Sequence, residues 1–227
     1  MKITKNLMLF VVTMLVATFT FTSCLNDDND AKVPTAEEQA GYQRTMAGRY
    51  GSVARFYYFN YNNQVKYDSL KNYSWDVTAD STITMNNFPV CKLDSAINVR
   101  NNNDNATAKE KELAALRTAI HESTATTKFQ AKYFIPNESF FVEYGYSFLV
   151  YPLTIKQNFI YNGQSHDVYF IFDTSGYYGG TFVSSTITGK VLEYKMVLAG
   201  ICIDNYNSNS LISSQYFRQV GITFTTK

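Results

Sequence analysis

The chain has 227 residues and a formal net charge of +1, with 20 Lys and Arg against 19 Asp and Glu. That length suits one large β-rich domain or two small ones. A near-neutral chain with no basic stripe argues against nucleic-acid binding, which needs clustered Lys and Arg to neutralise phosphates.

The amino terminus, MKITKNLMLFVVTMLVATFTFTSC, carries Lys2 and Lys5 and then an uncharged run from Leu7 to Ser23. A permanent span needs about 20 strongly apolar residues, and threonines dilute this run. A basic start, an apolar middle and small residues before the break describe an export signal over residues 1–23. Thr22-Ser23-Cys24 resembles a bacterial lipobox, although Phe21 stands where leucine is usual. The resemblance implies acylation of Cys24, and two or three acyl chains give firm anchoring. Asp27, Asp28 and Asp30 follow within six residues of that cysteine. They resemble the acidic export signal of Bacteroidota-type lipoproteins, which implies the outer leaflet of the outer membrane. The other reading is an acidic tether over residues 24–34 that an anionic surface repels. A calcium loop would need D-x-D-x-D-G with a distal Glu, and that pattern is missing. Removing residues 1–23 takes away Lys2 and Lys5, leaving 18 basic and 19 acidic residues (20 − 2 = 18).

Thr35 with Glu38 forms a capping box and opens a short helix that Gly48 can close behind Ala47. From Arg49 the composition turns aromatic and β-branched. RYGSVARFYYFNY and VKYDSLKNYSWDV read as strands around a turn at NNQ, and STITM follows a turn at Ala79-Asp80. Pro89 breaks this pattern, and Leu93, Ala96 and Ile97 fall at helical spacing. After the polar loop at 101–105, Thr107 and Glu110 form a second capping box. It opens a helix with Leu113, Leu116 and Ile120 on one stripe. Phe129, Ala131 and Tyr133 then alternate with Lys128, Gln130 and Lys132 as a half-buried antiparallel strand. Asn162-Gly163 is a hairpin signal, and TFVSSTITGKVLEYKMVLAGICID and YFRQVGITFTT complete the strands.

These elements predict a mainly β (α+β) fold of about nine or ten antiparallel strands, a β-sandwich or a partly closed barrel. An N-terminal helix and an insertion of one or two helices accompany it. The organisation expected is a lipoprotein signal peptide (1–23), a tether (24–34) and a single β-rich domain (35–227). GRYGS at Gly48, and WDVTADSTITMNNFPV with Phe88-Pro89 closing a strand pair, resemble a family of Bacteroidota-type lipoproteins known only as a domain of unknown function. The resemblance covers residues 48–204. It implies a β-rich cell-envelope lipoprotein and carries no activity, cofactor or catalytic residue.

Cys91 and Cys202 could join in an oxidising compartment. Against this, Cys202 shares a strand face with Leu192, Tyr194, Met196 and Leu198 and reads as a small core residue. His121, at a helix carboxyl end, and His166, beside Asp167, are expected in solvated surface roles. No H-E-x-x-H, C-x-x-C, G-x-S-x-G or phosphate-loop pattern appears, so no catalytic residue, metal ligand or cofactor is assigned. Most of the 18 Tyr and 17 Phe must be core or cross-strand pairs. Tyr177 and Tyr178, flanked by Gly176, Gly179 and Gly180, are candidates for exposed rings that stack on a sugar or enter a partner's pocket. The alternative is a tight turn with one ring folded back on the sheet. Asp68-Ser69, Asp80-Ser81 and Asp94-Ser95 each fit the acceptor pattern of Bacteroidota-type O-glycosylation at the serine. The function expected is a non-catalytic, lipid-anchored binding module for a carbohydrate or a protein, on the outer membrane and facing the cell surface. The alternatives are a structural or accessory subunit of an envelope complex, or a carrier of a small apolar ligand inside a barrel.

Overall fold

Local chemistry sets the two α-helices among the described residues. In the computed structural model, which describes residues 32–59, 64–99, 106–142, 144–185, 187 and 189–226, α1 spans Ala36–Met46 and α2 spans Ala108–His121. Both open with the expected capping boxes. Thr35 Oγ1 accepts from the Glu38 N–H at 3.2 Å and the Glu38 carboxylate accepts from the Thr35 N–H at 2.7 Å. Thr107 and Glu110 repeat this at 3.2 and 2.8 Å. Such caps satisfy N–H groups that the helix leaves without partners, and each contributes about 1 kcal/mol. Leu113, Leu116 and Ile120 are fully buried on α2, as their spacing demands.

Among the described residues eleven strands follow the helix α1: β1 (Gly48–Phe59), β2 (Val65–Thr78), β3 (Thr82–Pro89), β4 (Thr126–Phe134), β5 (Phe141–Val142), β6 (Gly145–Pro152), β7 (Ile155–Tyr161), β8 (Gln164–Phe172), β9 (Gly179–Ser185), β10 (Gly189–Ile203) and β11 (Val220–Thr225). The count exceeds the expected nine or ten by one or two, one of the eleven being the two-residue β5. Where the sequence left sandwich and barrel open, the pairing decides. Strands β11-β1-β2-β3-β4-β6-β9-β10 are consecutive neighbours and β10 pairs back onto β11, so eight antiparallel strands close into a barrel. The β7–β8 hairpin branches off. Its turn has Asn162 and Gly163 at φ 51° and 76°, the positive values that favour Asn-Gly there. β8 then pairs with the far half of β10, Leu198–Ile203.

Eight strands leave an interior that side chains just fill, and here aromatic rings fill it. Tyr194 and Phe224 stack with centroids 4.7 Å apart at 10°, and Trp75 meets them edge-on at 5.8 and 5.6 Å. Phe129 stacks on Phe172 at 4.6 Å and touches Phe88 at 5.0 Å. The alternation that brings them inward is clearest on β6, where Tyr146, Phe148, Val150 and Pro152 are buried in turn. Cys202 is buried as expected, and Cys91 and Cys202 are both free thiols.

Each end of the barrel is covered. Helix α1 lies over one, with Met46 fully buried. Gln39 donates to the Ile135 carbonyl after β4, Gln43 donates to Ser81 Oγ at 2.5 Å, and Tyr146 OH donates to the Tyr42 carbonyl at 2.7 Å. Lys190 reaches the Thr45 and Ala47 carbonyls at 2.7 and 3.1 Å. The other end carries the 3-10 segment Val90–Ala96, with Val90, Leu93 and Ala96 buried and α2 packed upon it. Arg218 Nε donates to the Ser95 carbonyl at 2.6 Å and its guanidinium lies 4.6 Å from the Tyr58 ring centre.

Burial also acts on the phenols. It pushes Tyr50 and Tyr161 up to about 12 and raises Tyr73, Tyr133, Tyr146 and Tyr194 as well. An unfolded phenol loses its proton near the ordinary value of 10.0, while the folded ones retain theirs. The unfolded state therefore binds fewer protons in that window, and stability falls as pH rises through it. The melting temperature is expected to decline between about pH 10 and 12, with tyrosinate absorbance appearing as the protein unfolds. A constant melting temperature across that window would mean that these rings are hydrated in the native state.

Candidate functional site

The β8–β9 loop is short and pinned at both ends. Asp173 Oδ1 accepts from the Ser175 N–H at 2.7 Å, Ser175 Oγ accepts from the Tyr177 N–H at 3.3 Å, and Gly176 takes φ 79°. Outside the turn, the Asp173 N–H donates to the Val197 carbonyl at 2.9 Å and the Val150 N–H donates to the Tyr178 carbonyl at 3.1 Å. The two adjacent tyrosine rings meet edge-on with centroids 5.1 Å apart but differ in exposure. Tyr177 is 82% exposed. Tyr178 is half-buried and turns back across the sheet, its ring centre 4.9 Å from Lys195 Nζ. This is the tight turn with one ring folded back that the sequence offered as the alternative, with Tyr177 left exposed.

Lys195 points outward from β10 and its ammonium also lies 5.2 Å from the Tyr57 ring centre. Tyr57 pairs across the sheet with Gly221 on β11 and with Tyr67 on β2, which is 74% exposed. Gly221 is what lets Tyr57 lie flat, because a Cβ there would stand 2.1 Å from the ring's Cζ. Tyr67, Tyr57, Lys195, Tyr178 and Tyr177 so form a band around the outer wall, with a cation held between two ring faces. Beside Lys195 opens a groove of about 240 Å³ lined by Gly179, Gly180, Thr181, Glu193 and Thr223. Its side chains offer one positive charge, one negative charge and two hydroxyls next to aromatic faces. Sequence reasoning found the two loop tyrosines but missed Lys195, Tyr57 and Tyr67. The one local signal was Gly221, an isolated glycine in a strand pattern, which often marks close approach.

Two other places carry concavities. His166 is not the solvated residue that its sequence context predicts. Its side chain is 16% exposed, its ring stacks on Tyr161 at 4.2 Å, and Nδ1 lies 2.9 Å from Asp204 Oδ2. A carboxylate only accepts, so Nδ1 carries the proton. Asp204 Oδ1 accepts from the Asp167 N–H at 3.1 Å, and Asp204 itself takes φ 62°. The dyad ties β8 to the end of β10 beside a cleft of about 490 Å³ running between α2 and residues 203–216. His121 is exposed as expected and meets Asp94 at 3.1 Å. At the α1 end a third concavity, of about 440 Å³, is lined by Tyr42, Thr45, Phe141, Val142, Tyr144, Gly145, Tyr146, Phe182 and Ser184.

The remaining sequence candidates are scattered. Ser69 is exposed on β2. Ser81, at φ 63°, accepts from Gln43, and Ser95 is 8% exposed, so a glycan there would have to precede folding. Cys24, Asp27, Asp28 and Asp30 lie outside the described residues. Among the described residues no group of three or more His, Cys, Asp or Glu is placed to hold a metal ion.

A family described as a domain of unknown function, DUF4840, matches residues 45–203. The chain belongs to the DUF4840 family. The match runs from the last turn of α1 to the end of β10 and so includes Tyr57, Tyr67, Tyr177, Tyr178 and Lys195, while β11 with Gly221 follows it. Neither a curated protein nor a solved structure matches the chain.

The DUF4840 barrel should report the Gly221 contact directly. In Gly221→Ala the Tyr57 ring must swing aside, which costs less than about 1.5 kcal/mol because only the far end of a surface side chain moves. The Lys195 ε-methylene proton signals, shifted by the ring current in the wild type, should return toward ordinary lysine values. An unchanged signal would mean that Tyr57 does not cover Gly221.

Proposed function

We propose that this DUF4840 chain is a Bacteroidota-type lipoprotein, anchored in the outer membrane through acylated Cys24, whose barrel binds a neutral carbohydrate on its outer wall. The observation that supports the ligand class is the band from Tyr67 to Tyr177 beside the groove at Lys195. Aromatic faces stack on the apolar C–H faces of a sugar ring. Lys195 donates hydrogen bonds, Glu193 accepts them, and Thr181 and Thr223 do either. Lys195 and Glu193 cancel in charge, so the groove suits hydroxyls better than a carboxylate or sulfate. The aromatic packing of the barrel axis speaks against the carrier of an apolar ligand. The structural-subunit alternative would use the same exposed rings on a protein partner. Of the three candidate O-glycosylation serines, Ser69 is the one whose hydroxyl stands in solvent in the folded domain.

The test is a glycan array probed with the wild-type chain and with Tyr177→Ala/Tyr178→Ala. Binding to neutral glycans by the wild type and its loss in the double variant is expected. The melting temperature should change by only about a degree or two, since one ring is exposed and the other packs at the surface. Absence of any glycan signal from the wild type, with a membrane protein co-purifying instead, would move the reading to the structural alternative.

The location is tested by protease treatment of intact cells. The wild type should be digested, and Asp27→Ala/Asp28→Ala protected until the outer membrane is permeabilised, if the acidic run is the surface address. Protection of the wild type on intact cells would place the domain on the periplasmic side.

A further inference from the structure

The groove at the α1 end has no part in the carbohydrate reading, yet exposed apolar side chains stand at its rim. β6 and β9 are neighbours, with Gly145 opposite Val183, and the Ser184 N–H donates to the Tyr144 carbonyl at 2.9 Å. The β5–β6 and β9–β10 turns therefore stand side by side. From them project Tyr144, 68% exposed, and Ile187, 93% exposed, beside the half-exposed Phe141 and Val142. Tyr144 is held at φ 62°, a conformation that is costly for a bulky side chain and recurs where a surface is functional. Behind these tips the groove floor is aromatic, with Tyr42 and Tyr146 at 5.3 Å and Tyr146 and Phe182 at 5.3 Å.

The position of the anchor selects the occupant. Helix α1 forms one wall of the groove, and the chain reaches its N-cap Thr35 eleven residue steps after Cys24 (35 − 24 = 11). Eleven steps span at most about 40 Å at full extension. The start of α1 thus stays within that reach of whatever Cys24 is fixed in. Tyrosine at a headgroup boundary, with aliphatic and phenyl side chains just below, is the arrangement that a lipid interface favours.

We infer that the α1 end of the barrel rests on the bilayer, with Phe141, Val142, Tyr144 and Ile187 entering the headgroup region. This inference rests on the lipid-anchor reading of Cys24. It leaves the Tyr177 band, at the opposite end, turned away from the membrane.

The test uses the full acylated chain in vesicles of phosphatidylethanolamine and phosphatidylglycerol that contain a lipid with a diazirine high on its acyl chain. After illumination, lipid adducts are mapped by peptide mass spectrometry. Adducts should concentrate on peptides covering 141–146 and 183–190. They should fall roughly tenfold in Tyr144→Ser/Ile187→Ser, the change that about 1.4 kcal/mol of lost apolar contact gives. Both side chains are exposed, so an unchanged melting temperature certifies the fold of the variant. Adducts on peptides bearing Phe59, Tyr67 or Tyr177, an even spread over the strands, or indifference to the two substitutions overturns the inference. The intact mass reads the anchor separately. If Cys24 carries acyl chains and the adducts lie elsewhere, the orientation alone is wrong. If it carries none, the anchor reading fails, and adducts on the two turns still support a lipid-contacting face while their absence overturns it.

Discussion

β11 closes the barrel. The six residues Val220–Thr225 pair with β1 on one edge and β10 on the other, and without them β1 and β10 would each present a row of unpaired peptide groups. The pairing joins the first strand to the last, so it is the contact with the greatest sequence separation in the sheet. Bringing segments so far apart in the chain together carries a larger loop-closure entropy than the hairpin pairings of the sheet. The interior depends on the same strand. Phe224 places its ring between Trp75 and Tyr194, so completing the hydrogen-bond circuit and filling the axis are one step. The outer wall depends on it too, because Gly221 on β11 is what lets Tyr57 lie against Lys195.

Closure leaves two open ends, and each is treated differently. The end with α1 is stitched by polar contacts to the β2–β3 turn, the end of β4, the start of β6 and the start of β10. The end with Val90–Ala96 is sealed mainly by apolar packing, reinforced by Arg218 and by the Lys92–Asp68 ion pair. That pair is exposed and adds little. The exposed aromatic and apolar side chains divide in the same way. Aromatic faces with balanced charges flank the second end, and bare apolar tips rim the first.

Features of the sequence that act over a few residues were legible. The capping boxes at Thr35 and Thr107, the stripe Leu113-Leu116-Ile120, the alternation Phe129-Ala131-Tyr133 and the Asn162-Gly163 turn each fix a local geometry. The helical spacing of Leu93, Ala96 and Ile97 was also informative, although Pro89 and the short run yield a 3-10 segment. What escaped were meetings decided by register. Nothing near Tyr57 indicates that it will meet Lys195, 138 positions later, and His166 meets Asp204 only because β8 pairs with the outer half of β10. The choice between sandwich and barrel was hidden for the same reason, since both use identical alternation along each strand. The band at Tyr177 was half legible. Glycines announced a tight loop, but which ring would fold back depended on the hydrogen bonds of Asp173 and Tyr178 to strands on either side.

The attachment of α1 has a mechanical consequence. A chain held at its amino end is pulled at Val33, and the first element loaded is α1. Its contacts reach Ser81, Ile135, Tyr146 and Lys190, on separate parts of the sheet, so a pull is shared among them in parallel. Behind the helix, β1 is hydrogen-bonded along both edges, to β2 and β11. Tension along β1 would shear two ladders at once, whereas an edge strand could be peeled one bond at a time. A barrel held at its amino end would therefore be loaded first through the helix that covers it.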